Sequence, residues 1–313
     1  MTTRRSILIG ALCALLSAGC GGGDSASPKA KGRLIAVTFQ TMNNSFFIDL
    51  EAGLKKVVES HGDRLVTLDA QFNSHKQLND ISDMVLQGAA GIFINPVNWE
   101  GITGSLLKAK DRGIPCIIVD VPVRDADLAL CTVASDNMEA GRLAARALAT
   151  ARRPANVVIL HLPMNKACID RVAGFQEELA KYPDIKVLDI QDGKGTTEGA
   201  RPLMRDLLGR FPELNAVFPI NDPSALGAIS ALESAGKLKD VTVVTVDGSA
   251  EAIEAIKAGK LLSTSAQFPQ EIGRIAGERF YEHLGGKAIE KDIKVKVELV
   301  TRENCDSFLK KKD

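Results

Sequence analysis

The chain has 313 residues, which is long for one compact domain and favours two. Its composition, with 45% hydrophobic and 25% charged residues, is that of an ordinary globular protein and excludes the disordered and collagen-like classes. Lys plus Arg and Asp plus Glu each number 39, so no excess of positive charge indicates binding to nucleic acid or to an anionic membrane surface.

The first twenty residues have the parts of an export signal. Arg4 and Arg5 form a positive segment, Ile7 to Leu16 form an apolar run, and small residues precede Cys20. An apolar run of about ten residues is too short to span a bilayer. The small residues before a cysteine are similar to a lipoprotein processing site, at which Cys20 becomes the acylated N-terminus and anchors the protein to a membrane. Ordinary signal cleavage is the alternative.

Residues 21–32 are rich in Gly, Ser and Lys and are predicted to form a flexible tether. Removal of the residues before Cys20 takes away two arginines and no acidic residue, so 37 basic residues face 39 acidic ones and the net charge is about −2. Four cysteines remain for the folded part: Cys116, Cys131, Cys168 and Cys305. The sequence leaves open whether they form disulfides or stay as buried thiols.

From Arg33 onward, short apolar runs alternate with longer amphipathic segments, which is typical of a parallel sheet with helices on both faces. The first half predicts five strands: Leu34–Phe39, Leu65–Leu68, Gly91–Ile94, Pro115–Val119 and Thr132–Ala134. Helices are predicted from Phe46, near residues 75–87 and over residues 99–112. The alternation begins again after Asp136, so we expect a second lobe of the same kind.

The second half begins with a predicted helix from Glu139. Four strands follow: Val157–Leu160, Val187–Ile190, Ala216–Ile220 and Val241–Val246. A strand from Ser263, a helix over Glu271–Leu284 and one alternating strand over Ile293–Val300 complete the chain. The expected fold is therefore α/β, with two doubly wound parallel-sheet lobes.

Several of the apolar strands end on a polar side chain: Gln40, Asn95, Asp120, Asn221, Asp247 and Gln267. Ligands of open α/β sheets bind outside the carboxyl ends of the strands. Two such edges that face each other would form a cleft lined by amides and carboxylates. Such a lining suits a polyhydroxylated ligand.

The sequence resembles the periplasmic ribose-binding family, type I of the solute-binding folds, over essentially the whole mature chain. The resemblance lies in these segments: Gln40 to Phe47, Ile94-Asn95-Pro96, Ala134 to Asn137, Ala216-Val217-Phe218 with Asn221-Asp222, Val246-Asp247-Gly248 and Ala266-Gln267. It implies a hinge of three chain crossings near Ser135-Asp136, Gln267-Phe268 and Val297-Glu298. The implied N-terminal lobe comprises residues 33–134 and 268–297, and the C-terminal lobe comprises residues 135–267 and 298–313.

The resemblance also implies a set of ligand contacts: Gln40, Asn44, Phe46, Phe47, Asp120, Arg171, Asn221, Asp247 and Gln267. Carboxylates accept hydrogen bonds from adjacent hydroxyls, a guanidinium donates in a planar fork, and aromatic rings cover the C–H faces of a sugar. The implied function is an extracytoplasmic, monomeric protein that delivers a neutral sugar or sugar alcohol to the ABC permease of the inner membrane. It implies no cofactor, no metal ion, no nucleic acid and no catalysis.

Four positions depart from the pattern of the family. Val121 stands where the family has an arginine, and Val246 stands where it has an aromatic residue. Another aromatic position falls on Lys194 or Gly195, and Gln40 stands where the family has a serine in the first loop. Because one charged donor and much stacking area are lost, the ligand is predicted to differ from D-ribose, and a neutral polyol is favoured.

Simpler interpretations apply to several of these residues. Asp222 is predicted to cap a helix rather than to contact a ligand, and Asn44 is open between the two roles. The segment Gly193–Gly199 lacks the spacing of a nucleotide-binding loop. Cys168 with His161 is the one nucleophile and base pair worth naming, and nothing else in the sequence supports catalysis.

Two other functions use the same fold. The effector domain of a sugar-responsive repressor would need a helix-turn-helix before residue 33 and a cytoplasmic location, which the export signal opposes. A lipoprotein sensor that presents its ligand to a membrane receptor is not separated from an importer subunit by the sequence. The ligand itself is open among pentoses, hexoses, deoxy-sugars and linear polyols.

Overall fold

The computed structural model describes residues 32–312, without the side chains of residues 309–312. The predicted export signal, the predicted anchor at Cys20 and residues 21–31 of the predicted tether lie outside the described residues. Within residues 32–312, no helix is both long enough and apolar enough to cross a membrane.

The described chain contains twelve strands: β1 (Leu34–Phe39), β2 (Arg64–Asp69), β3 (Gly91–Ile94), β4 (Cys116–Val119), β5 (Cys131–Ser135), β6 (Ala155–His161), β7 (Ile185–Asp192), β8 (Ala216–Pro219), β9 (Thr242–Asp247), β10 (Ser263–Ala266), β11 (Asp292–Val295) and β12 (Glu298–Thr301). Its ten α-helices are α1 (Ser45–Ser60), α2 (Ser74–Leu86), α3 (Thr103–Asp111), α4 (Asn137–Ala151), α5 (Lys166–Leu179), α6 (Thr197–Arg210), α7 (Asp222–Ser234), α8 (Ala250–Lys257), α9 (Pro269–Leu284) and α10 (Cys305–Lys312).

The strands form two six-stranded sheets, one in each lobe. The first sheet has the order β11-β5-β4-β3-β1-β2, and all its neighbouring strands are parallel. The second has the order β12-β10-β9-β8-β6-β7 and is parallel except that β12 runs antiparallel to β10. The central strands are continuous apolar runs because helices bury both of their faces. This architecture confirms the predicted fold class.

The two sheets follow the same order along the chain. In the first lobe the first five strands are arranged 2-1-3-4-5, and in the second lobe β6 to β10 repeat that arrangement. Each strand of the first lobe therefore has a counterpart five strands later, and β4 corresponds to β9. Equivalent strand ends consequently come to equivalent places in the two lobes, which bears on the site below.

Close helix packing sets the position of α5 against α4. A Cβ atom at Gly141 would lie 2.0 Å from the carbonyl oxygen of Arg171, and one at Gly174 would lie 2.0 Å from that of Met138. Because no side chain fits at those separations, glycine at both positions allows the helix backbones to touch. The same arrangement of two glycines joins α1 to α9.

The chain passes between the sheets three times: after β5, after β10, and between β11 and β12. The single strand predicted over Ile293–Val300 is therefore wrong. The structure divides this segment into β11, which pairs with β5 in the first sheet, and β12, which pairs with β10 in the second. The alternating pattern of the sequence is present in both strands, but it cannot show that their pairing partners belong to different sheets.

Candidate ligand-binding site

The carboxyl ends of the two sheets face a shared cavity between the lobes. Its walls include all nine side chains predicted for the site: Gln40, Asn44, Phe46, Phe47, Asp120, Arg171, Asn221, Asp247 and Gln267. The structure thus brings the nine residues together, and their contact with a ligand stays a prediction.

Asp120 follows β4 and is only 4% exposed. Its Oδ2 accepts a hydrogen bond of 2.9 Å from Nδ2 of Asn95, whereas its Oδ1 has no hydrogen-bond partner among the described residues. Burial raises the pKa of Asp120 to about 7; Arg171 opposes the rise and Asp247 adds to it. A buried acceptor without a donor is costly, so this oxygen marks a place where a ligand hydroxyl would fit.

Arg171, on α5, is also nearly fully buried and holds the second aspartate of the cavity. Its Nε donates to Oδ1 of Asn137 at 2.9 Å, and its Nη1 donates to the carbonyl oxygen of Ile220 at 2.8 Å and to Oδ1 of Asp247 at 3.2 Å. Burial opposes the charge, but the surrounding carboxylates, Asp247 foremost, leave the pKa of Arg171 above its ordinary value. The guanidinium is thus fixed in place before any ligand arrives.

Gln267 follows β10 and completes the polar wall. Its Nε2 donates to Oδ1 of Asp247 at 2.7 Å, while its Oε1 is buried without a hydrogen-bond partner among the described residues. Two acceptor oxygens of one cavity, this one and Oδ1 of Asp120, therefore lack donors. Hydroxyl groups of a ligand could supply both.

The two cavity aspartates share an unusual backbone conformation. Asp120 has φ +65° and Asp247 has φ +137°, which few residues other than glycine adopt. They occupy counterpart places, because Asp120 follows β4 and Asp247 is the last residue of β9. Strain of roughly 1–3 kcal/mol at each position is typical of functional sites, where the conformation aims a side chain at a ligand.

The first turn of α1 forms another part of the wall. Oδ1 of Asn44 accepts a hydrogen bond of 3.0 Å from the N–H of Phe46, so Asn44 caps the helix as well as lining the cavity. The rings of Phe46 and Phe47 meet edge to face at 5.3 Å between their centroids, and both are buried in the core of the first lobe. Both rings also line the cavity, so each can serve core packing and ligand contact together.

The prediction that Asp222 caps α7 is wrong. The cap is Asn221. Its Oδ1 accepts a hydrogen bond from the N–H of Ser224, and its Nδ2 donates to the carbonyl oxygen of Gly195 at 2.9 Å. Asp222 instead accepts from the N–H of Ser249 at 2.7 Å and from Oγ1 of Thr264 at 2.9 Å. Asn221 has the extended backbone that a cap needs, whereas Asp222 is already the first helical residue.

Six residues outside the predicted set of nine also line the cavity: Phe72, Leu162, Asn165, Ala167, Cys168 and Gly195. Asn165 caps α5 as Asn44 caps α1, so the repeated fold places an equivalent amide on the opposite wall. Phe72 has φ +55° and is 42% exposed, in the turn that follows β2. An aromatic residue between a predicted strand and a predicted helix was the available signal for Phe72.

Two asparagines support the site from behind. Asn95 accepts from the N–H of Gln40 at 3.1 Å and donates to Asp120, and Asn137 accepts from Arg171. Asn95 was visible in the sequence as a polar residue after a buried strand, but its role is to orient a neighbour. Neither role could be derived without the positions of the partners.

The structure does not support a nucleophile and base pair. All four cysteines of the described chain are free and buried, which answers the question of disulfides. Burial raises the pKa of Cys168 to about 12, so its thiol stays protonated, and His161 is not among the residues that line the cavity. Within residues 32–312, no group of three or more His, Cys, Asp and Glu side chains could hold a metal ion.

Comparisons with known proteins agree with this geometry. A family model described as a periplasmic binding protein domain matches residues 35–288. Over 284 residues the chain is 33% identical to the ribose import binding protein of Bacillus subtilis. The alignment covers 89% of this chain and 90% of that protein. Over 267 residues it is 31% identical to the xylitol-binding protein of Mycolicibacterium smegmatis. That alignment covers 83% of this chain and 75% of that protein.

Among solved structures, an ABC transporter solute-binding protein from Bacillus halodurans with bound myo-inositol matches with a TM-score of 0.83 and 26% identity. The match covers 91% of this chain and 100% of that one. These relatives are binding proteins rather than enzymes, in agreement with the prediction that the chain is no enzyme. The resemblance stated from the sequence is confirmed: the chain belongs to the periplasmic binding protein family.

Proposed function

We propose that the chain is the solute-binding subunit of an ABC importer and captures a small sugar or sugar alcohol between its lobes without chemical change. The observation that carries this proposal is the pair of buried acceptor oxygens, Oδ1 of Asp120 and Oε1 of Gln267, in one cavity lined by both lobes. The relatives named for ribose and xylitol, and the one with bound myo-inositol, support a polyhydroxylated ligand.

The charges of the cavity favour a neutral ligand. Arg171 is the one cation among its lining residues, and it is already bonded to Asp247, Asn137 and Ile220. A carboxylate or phosphate on the ligand would meet Asp120 and Asp247 without an additional cation to offset the repulsion. Hydroxyl groups avoid this cost because they can donate to carboxylate oxygens and accept from the guanidinium.

The preference within neutral ligands is proposed to be for polyols over D-ribose. Val121 and Val246 are both fully buried. Because a valine side chain has neither a hydrogen-bond donor nor an aromatic ring, neither residue can bring one to the cavity. Gly195 lines the wall with no side chain at all. Hydrogen bonding then contributes more to recognition than stacking of aromatic rings against the C–H face of a sugar does.

Binding is proposed to close the two lobes about a hinge near Ser135-Asp136, Gln267-Phe268 and Val297-Glu298. A ligand that contacts both lobes binds the closed arrangement better than the open one, and this difference drives closure. In the structure the lobes touch, since the N–H of Trp99 donates to the carbonyl oxygen of Met164 at 3.4 Å. A permease that contacts both lobes could then distinguish loaded from empty protein.

The remaining parts of the proposal concern location and assembly. The family is extracytoplasmic, and we propose that a lipid on Cys20 holds the protein at the membrane beside its permease. The tether predicted from the sequence over residues 21–32 would let the folded part reach the permease. We further propose that the protein acts as a monomer, because one chain supplies both walls of the cavity.

A thermal-shift screen tests the proposal. The panel contains D-ribose, D-xylose, D-galactose, xylitol, D-glucitol and myo-inositol, and a ligand at about 100 times its Kd adds roughly 2.7 kcal/mol of stability. Alanine at Asp120, Arg171 or Asp247 is expected to weaken binding by more than about 1.5 kcal/mol, while alanine at the exposed Asp83 leaves it unchanged. A panel without any thermal shift would contradict the function, and tight D-ribose binding would contradict only the polyol preference.

Small-angle scattering tests the closure. The ligand found in the screen is expected to reduce the radius of gyration at saturation. An unchanged radius would show that the protein is a rigid receptor.

A further inference from the structure

Phe72, in the turn that follows β2, is an exposed aromatic residue in the wall of the cavity. Seven large apolar side chains of the described chain are exposed, and Phe72 is the only one of them that lines the cavity between the lobes. None of the four apolar clusters within residues 32–312 contains it, and no other described aromatic ring pairs with it. The ring therefore does not serve a packed core.

The backbone at Phe72 has a conformation that its own side chain disfavours. Phe72 has φ +55°, and the preceding Gln71 has φ +54°. A bulky residue in this left-handed region is an outlier, because its Cβ atom crowds the backbone. Hydrogen bonds hold the turn, since the N–H of Phe72 donates to the carbonyl oxygen of Gln40 at 2.6 Å. Strain that the surrounding structure maintains in this way is typical of functional positions.

Left-handed backbone at residues other than glycine is concentrated around this cavity. Five such residues occur in the described chain: Gln71, Phe72, Asp120, Lys194 and Asp247. Three of them line the cavity, and Gln71 and Lys194 each directly precede a lining residue. Two of the three are the aspartates whose carboxylates face the cavity. Phe72 belongs with them by conformation and by place.

The internal repeat of the fold gives Phe72 a counterpart in the second lobe. Because the second sheet repeats the strand arrangement of the first, β2 corresponds to β7. Each of these strands ends on an aspartate whose Oδ1 accepts from the N–H two residues further on, at 2.8 Å after β2 and at 2.9 Å after β7. The next residue is left-handed in both turns, with φ +55° at Phe72 and +66° at Gly195. Phe72 and Gly195 are therefore counterparts on opposite walls of one cavity.

The two counterparts bring different surfaces to the cavity. Gly195 presents no side chain, and a Cβ atom there would lie only 3.0 Å from Cδ2 of Leu162. Phe72 brings a whole aromatic ring from the opposite lobe. An aromatic ring can bury the C–H groups of a ligand, which carboxylates and amides cannot pair with. The repeated turn thus carries an apolar contact surface in the first lobe alone.

We propose that Phe72 is a specificity-determining residue whose ring packs against C–H groups of the bound ligand. This inference rests on the proposed function, because the ring covers the sugar or sugar alcohol that the polar wall holds. Asp120 and Gln267 accept from hydroxyl groups, and Phe72 covers the carbon atoms that bear them. The contact adds to the hydrogen bonds of the polar wall and selects an uncharged ligand with an apolar side.

Titration calorimetry tests the contact with six probes: D-ribose, D-xylose, D-galactose, xylitol, D-glucitol and myo-inositol. Phe72→Gly is expected to weaken every probe that the wild type binds by about five- to tenfold, and Phe72→Tyr, which keeps the ring, by less than about twofold. Gln71→Gly is the matched control, because Gln71 has almost the same φ but does not line the cavity. It is expected to leave the affinity unchanged.

Two results would overturn the inference while the proposed function stands. One is equal affinity of Phe72→Gly and the wild type for the probes that bind. The other is an equal loss of affinity for Phe72→Gly and Phe72→Tyr, which would show that the ring makes no contact of its own. If the wild type binds none of the six probes, the proposed function fails as well.

Urea unfolding without ligand separates a binding role from a structural one. Glycine relieves the left-handed strain in Phe72→Gly and in Gln71→Gly alike, so the two variants are expected to have similar midpoints. Phe72→Gly should therefore lose affinity without losing stability relative to its control. A much lower midpoint for Phe72→Gly with unchanged affinity would show that the ring stabilises the fold, and would overturn the inference.

Discussion

Replacement of Asp120 by asparagine should stabilise the empty protein and weaken ligand binding. In the structure the carboxylate is buried, one oxygen is bonded to Asn95, and the other has no donor. Asparagine keeps the shape and an acceptor for Asn95 but removes the buried charge. The two expected effects have opposite signs, so a general disturbance of the fold cannot imitate them.

The size of the stability effect follows from the pKa. Burial raises the pKa of Asp120 to about 7 from its ordinary 3.8. Between these values the folded protein binds more protons than the unfolded chain, so the free energy of unfolding falls as the pH rises through this window. From about pH 5 to about pH 8 this group alone should lower the free energy of unfolding by roughly 2 to 3 kcal/mol, and the loss is absent when asparagine replaces it.

Urea unfolding without ligand at about pH 5 and about pH 8 measures the effect. The wild-type protein should lose roughly 2 to 3 kcal/mol more than the Asp120→Asn variant over this interval. Asp83→Asn, on the exposed side of α2, serves as the matched control and should behave as the wild type does. Calorimetry with the ligand from the screen should show about tenfold weaker binding for Asp120→Asn alone.

The reasoning would be refuted by equal pH dependence of the wild type and Asp120→Asn. That result would mean that the carboxylate is hydrated in the empty protein and that its charge costs nothing. An open arrangement of the lobes would produce it, and the scattering experiment on the empty protein would then show the larger radius. If the ligand affinity of Asp120→Asn is unchanged, Asp120 is not part of the site, whatever the effect of the variant on the free energy of unfolding.

Three further predictions concern the second lobe and the anchor. Arg171→Met should lower the free energy of unfolding by about 3–5 kcal/mol, because it leaves the buried Asp247 without its cation, as urea unfolding would show. Gly141→Ala should lower the free energy of unfolding by at least about 2 kcal/mol, because the added methyl group forces α4 away from α5. Gly209→Ala, at a position where nothing lies within 4 Å, should raise it by about 0.5–1 kcal/mol. Similar changes for both variants would show that the helices do not touch. Cys20→Ser should release the protein from membranes in a fractionation assay, and retention would contradict the lipid anchor.

The sequence by itself determined the architecture and the location of the site. Continuous apolar runs such as Gly91–Ile94 marked strands buried on both faces, and their alternation with helices began twice, which required two sheets. Polar residues at the strand ends located the cavity, because the carboxyl ends of parallel strands must meet at one edge. Asn44, Phe46 and Arg171 came from the resemblance to a family, since nothing in their spacing alone points to a ligand.

The tertiary structure alone decided which groups share a hydrogen bond and which space they enclose. The first turn of α5, with Asn165 and Cys168, joins the cavity because glycine contacts bring α5 against α4, and such a distance has no signature in local sequence. Asp222 has the local pattern of a cap, yet its partners lie on β10 and at the start of α8, both distant along the chain. Pairing between distant segments depends on how whole elements pack, and local preferences determine only the elements themselves.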